Sequence, residues 1–183
     1  MDQSLLLRVA ERLAGPPSYA PASSGGSILA LAAAHYGSNE YEPGTEGFDP
    51  KALALFEALV ESAFLVANAD GEFDPREREV FEHVVLAACG KKVAERQIHA
   101  LIADLEDLLG EDGLDQRVRM VARAVERPDQ AREVLRVAAL LAHASGGVSA
   151  AELGLLQQLA GELGLGPETV TEALGEAELC LAG

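Results

Sequence analysis

The chain has 183 residues, a formal net charge of −16, no Trp and two cysteines, and its hydrophobic half is chiefly Leu, Ala and Val. That length makes one domain with a full core plus a small appendage, and Leu and Ala joined by Glu and Arg favour helices. The negative charge excludes nucleic acid and anionic membrane surfaces as principal partners, because both are polyanions, and leaves cations, basic proteins or simple solubility.

The N-terminus opens Met-Asp-Gln-Ser with no Lys or Arg ahead of Leu5-Leu6-Leu7, which is not a secretory signal. No apolar run reaches the roughly 20 residues that span a bilayer, so the expected address is the cytoplasm without membrane insertion. Residues 4–14 read as a short amphipathic helix that docks through Leu6, Val9 and Leu13, since three apolar positions cannot fold alone. Residues 15–26 are rich in Pro, Gly and Ser and predict a linker. A short apolar helix over 28–36 and an irregular stretch over 37–48 complete an N-terminal extension, 1–49.

A helical domain is expected over 50–183. It starts at Asp49-Pro50, where Asp caps free N–H groups and Pro suits the first helical position. Leu53, Phe56, Leu59, Val60, Ala63, Phe64 and Ala67 recur at spacings of three and four and predict a helix over 50–69. Further helices are expected over 75–88, over 94–109 ending at Gly110, over 115–126 after Gly113 and before Pro128, and over 129–144, 150–163 and about 168–181. No run alternates with period two, so the fold class is all-α: a compact bundle of about seven helices plus the N-terminal helices. Cys89 and Cys180 read as buried free thiols.

An internal repeat organises the domain. Residues 63–77 align with 138–152 at an offset of 75, with identities at Ala63/Ala138, Leu65/Leu140, Gly71/Gly146 and Glu77/Glu152 among others. Each copy reads as a helix, a glycine turn, an apolar plug (Phe73 or Val148), a cap (Asp74 or Ser149) and a second helix. Two copies predict a pseudo-twofold arrangement.

The run Ala69-Asp70-Gly71-Glu72-Phe73-Asp74-Pro75-Arg76-Glu77 resembles the Ala-Asp-Gly-x-hydrophobic-Asp-x-x-Glu signature of TerB-like (tellurite-resistance) domains. The resemblance covers 50–181 and implies a bundle with two such turns, a non-catalytic binding or scaffolding role with a protein partner, and a tellurite-resistance or stress-response setting. It also implies metal ligation by Asp70, Asp74 and Glu77. The second turn departs from the pattern, carrying Ser145 and Ser149 where acids would sit and keeping only Glu152.

Two readings of the turn stand side by side. Asp74 with Glu77, and Ser149 with Glu152, fit capping boxes that satisfy orphan N–H groups without any ion. Alternatively, one divalent cation of the calcium type binds weakly at the Asp70-Gly71 turn. A full EF-hand fails, because placing Gly71 at its sixth position puts Asn68 at the third and Asp70 at the fifth but Val66 at the first, where its side chain cannot ligate. No other cofactor is expected. The four histidines are scattered, and no Walker loop or Gly-x-Ser-x-Gly occurs. A hydrolase with an unrecognised site is the remaining alternative. Arg117, Arg119, Arg123, Arg127, Arg132 and Arg136 form a basic strip, with Arg119, Arg123 and Arg127 expected on one helix face, either paired with Glu126, Glu133 and other acids or docking an acidic segment.

Overall fold

The computed structural model describes residues 3–20, 26–38, 49–71, 73–144 and 147–182. Its helices are α1 (Gln3–Ala14), α2 (Ile28–Gly37), α3 (Pro50–Ala67), α4 (Pro75–Ala88), α5 (Glu95–Asp112), α6 (Leu114–Ala124), α7 (Pro128–Ala144), α8 (Ala150–Glu162) and α9 (Pro167–Ala182), with no strand among the described residues. The all-α expectation holds, with seven helices from α3 onward and two before them among the described residues.

Helices α3 and α7 run side by side through the centre. Residues 55–66 of α3 are buried apart from Glu57, and 133–144 of α7 are buried without exception. The other helices offer one apolar face each to this pair. Val9 and Leu13 of α1 and Leu29, Ala32 and Ala33 of α2 join the same core, with Leu6 packed partly against it. Residues 15–20 contain no helix, and the remainder of the predicted linker through 25 lies outside the described residues, as does 39–48.

Several boundaries differ from the pattern. Helix α5 passes through Gly110 and stops at Gly113, whose φ of +76° no other residue type adopts easily and whose N–H reaches Leu109 O. A mid-helix glycine costs only about 1 kcal/mol relative to Ala, so Gly110 alone cannot end the helix. Helix α6 stops at Ala124 because Gln130 Oε1 accepts from the backbone N–H groups of Glu126 and Arg127, replacing a helical turn before Pro128. Arg127 therefore does not share a helix face with Arg119 and Arg123.

The arginine strip also divides by burial. Arg136 is 1% exposed and Arg117 9%. Arg117 Nε donates to Glu61 Oε1 at 2.6 Å, whereas Arg119 donates to Gln116 and Arg127 to Asp129 at the surface. Cys89 is buried and its thiol is pushed up to about 12 by burial, against the opposing charge of Lys92, which disfavours the thiolate. Cys180 is only half-buried, and both thiols are free.

Helix α2 meets the α4–α5 loop at its last residue. A Cβ on Gly37 would lie 1.5 Å from the backbone oxygen of Lys92. Because that neighbour is backbone, it cannot rotate away. Gly37→Ala is expected to lower stability by about 1–3 kcal/mol in urea melts, whereas Gly110→Ala, in open space, should be neutral or slightly stabilising.

Candidate functional site

The two repeat turns have the same local chemistry. Asp74 sits extended before α4 and its Oδ1 accepts from the N–H groups of Arg76 (2.7 Å) and Glu77 (2.9 Å), while Glu77 Oε2 accepts from Asp74 N at 3.0 Å. Before α8, Ser149 Oγ accepts from Glu152 N at 3.2 Å and Glu152 Oε2 accepts from Ser149 N at 2.7 Å. Both are capping boxes. Gly71 takes φ +81° in the first turn and Gly147 takes φ +112° in the second. Ser145 and Gly146, which the alignment pairs with Asp70 and Gly71, lie outside the described residues.

The plug of the first turn packs as its position implies. Phe73 meets Phe64 edge-on at 5.6 Å between centroids and Phe81 at 6.0 Å, and Phe64 meets Phe81 at 6.4 Å. This aromatic trio ties the loop to α3 and α4.

Since α3 and α7 lie together, the turns that follow them open onto one cavity of about 210 Å³. Asp70, Glu77 and Glu152 supply its carboxylates, and Phe73, Val80, Phe81 and Leu141 supply apolar wall. Two of the three expected site residues, Asp70 and Glu77, reach it. Asp74 is not on the wall, because its carboxylate is turned back onto the start of α4. Glu152, 9% exposed, takes its place from the other turn.

These residues do not make a ready cage for a hard cation, which wants six to eight oxygens. Glu77 and Glu152 each commit one oxygen to a backbone N–H. Among the described residues, no three His, Cys, Asp or Glu side chains are grouped closely enough to hold a metal ion. No helix among the described residues is long and apolar enough to cross a membrane.

The sequence motif marks each turn separately. Nothing in the spacing told that the two turns would share one cavity, since that depends on how α3 crosses α7.

The family model described as tellurite resistance protein TerB matches residues 56–174. No curated protein and no solved structure matches the chain.

Proposed function

The chain belongs to the tellurite resistance protein TerB family, and from that membership we propose that it is a non-catalytic binding domain whose ligand enters the cavity between the paired turns. The observation that carries this reading is the convergence of Asp70, Glu77 and Glu152 on a cavity whose other walls are aromatic and aliphatic. Carboxylates and phenyl rings lining one cavity suit an organic cation with an apolar stem, as on an Arg or Lys side chain of a basic protein partner. A protein of charge −16 adds long-range attraction for such a partner. The family name supports a tellurite-resistance or stress-response assembly, and two free cysteines suit the cytoplasm. We read residues 1–49 as an extension of the family domain, a reading supported by Val9 and Leu13 of α1 and Leu29, Ala32 and Ala33 of α2, which pack in its core.

Thermal melting tests this reading. The melting temperature is expected to be the same in calcium and in chelator, and to rise with a short glycine-flanked arginine peptide. Asp70→Asn and Glu152→Gln keep turn and box geometry but remove charge, and each should weaken the peptide effect. Asp74→Ala should lower stability by about 0.5–2 kcal/mol with or without calcium, as loss of a cap. A rise at sub-millimolar calcium that Asp70→Asn abolishes would replace the organic cation with a divalent one. A melting temperature indifferent to both ligands would remove the cavity from consideration.

A further inference from the structure

Residues 15–20 cross the groove between α7 and α9 and close a second cavity of about 290 Å³, which shares no wall residue with the first. Ser18 and Tyr19 lie over it, with Arg132, Thr169, Glu172 and Glu176 around it and Arg136 beneath. The cover is held by side chains. Ser18 Oγ donates to Glu176 Oε2 at 3.0 Å, and the Tyr19 ring stands 5.0 Å from the Arg132 guanidinium carbon. Thr169 is 7% exposed and lines the same cavity.

We propose that this cavity binds a small free zwitterion of the α-amino acid type, its carboxylate on Arg132 and the Thr169 hydroxyl, its ammonium on Glu172, and its body beneath Tyr19. The charge pattern selects that class. Arg136 is fully engaged by Glu133, Glu176 and the carbonyls of Arg12 and Gly15, and Glu176 is engaged by Arg12, Arg136 and Ser18. The exchangeable pair is Arg132 with Glu172, joined at 2.9 Å with side chains 37% and 57% exposed. Such a surface bridge contributes little and opens easily.

An anion seated on Arg132 would leave Glu172 unpaired beside Glu176, and a cation seated on Glu172 would leave Arg132 unpaired. A zwitterion turns one ion pair into two and leaves no charge over. Thr169 stands in the first turn of α9, where the aligned peptide dipoles favour a carboxylate. Burial, then the charge of Glu133, pushes the Tyr19 hydroxyl up to about 12, with Arg136 and Arg132 opposing, so the cover stays neutral.

The test titrates the full chain with each standard L-amino acid in turn, followed by thermal melting and by backbone amide shifts in heteronuclear NMR. At least one amino acid should give a saturable rise in melting temperature and shift the amides of 18–19 and 169–173. Its decarboxylated amine and its deaminated acid should give neither effect. Arg132→Gln and Glu172→Gln, both surface changes that leave the fold intact, should each weaken binding about tenfold, the loss expected for one charge-assisted hydrogen bond. Thr169→Val should weaken it as well. The proposal is overturned if no amino acid binds saturably, if the amine or the acid alone binds as tightly, or if the two Gln variants bind unchanged. Amide shifts confined to the paired turns would also overturn it.

Discussion

Replacing Arg136 with methionine is expected to lower the stability of the chain by about 3–5 kcal/mol at neutral pH, the range for removing one partner of a buried ion pair. Arg136 is 1% exposed and Glu133, one helical turn before it, is 0% exposed. Its Nη1 donates to Glu133 Oε2 at 3.1 Å and its Nε to Glu176 Oε1 at 2.7 Å, while Nη2 reaches the carbonyls of Arg12 and Gly15 at the end of α1. Glu133 also accepts from Leu29 N at the start of α2, at 3.4 Å. One guanidinium thus satisfies two carboxylates and two backbone oxygens, and the network pins both N-terminal helices to α7 and α9. Methionine fills much of the volume and satisfies none of them.

The pH dependence of that loss distinguishes an uncompensated charge from lost packing. Burial raises the Glu133 carboxyl above its ordinary value, although Arg136 and the Leu29 N–H oppose the rise. A carboxylate raised in the folded state contributes stability below its unfolded value and loses it as pH rises through the folded one. Without Arg136 the upward shift grows, so the destabilisation should shrink as the solution is acidified into the carboxylate range. Glu176 has the opposite sign in the wild type. Burial would raise it, but the hydrogen bond and charge of Arg136, with Ser18 and Arg12, bring it below its ordinary value. Its contribution is present above the unfolded value and is lost as pH falls through the folded one. Urea melts of wild type and Arg136→Met from neutral to acid pH should therefore converge. A constant gap would mean that packing, and not the orphaned Glu133, dominates. Leu at both 133 and 136 should recover much of the loss at neutral pH.

Local chemistry was legible in the sequence where it acts over a few residues. The caps at Asp49, Asp74 and Ser149 form as their spacing implies, because a capping box needs only residues three apart. The docking of α1 was legible in the spacing of Val9 and Leu13, both buried. Arg136 was not. Six arginines in twenty positions look like a surface strip, and nothing local separates Arg136, whose partners besides Glu133 are 40 residues ahead and more than 120 behind, from Arg132 at the rim. The burial of a charge is a property of the assembled bundle. The same holds for the shared cavity, where Glu152 replaces Asp74 as the third carboxylate although the motif gives Asp74 the stronger match.

Phe64→Ala is expected to cost about 3–5 kcal/mol, the range for truncating a fully buried phenyl group. Phe64 is 0% exposed on α3, and its ring meets both Phe73 and Phe81 edge-on. The truncation removes the hub of the trio and leaves only the Phe73–Phe81 contact, at 6.0 Å between centroids. Edge-to-face pairs add about 0.5–1.5 kcal/mol each beyond burial, so the cost should exceed that of Leu59→Ala, equally buried on the same helix but without an aromatic partner. The consequence extends to the cavity between the turns, because Phe73 and Phe81 are part of its wall. Phe64→Leu keeps the chain folded while withdrawing the support, so it should raise hydrogen exchange at the backbone of 69–74 more than at the centre of α7. Urea melts measure the first effect and exchange the second. Equal protection of the turn in wild type and Phe64→Leu would show that the capping box alone holds Asp70 and Glu77 in place, with the aromatic trio serving only stability.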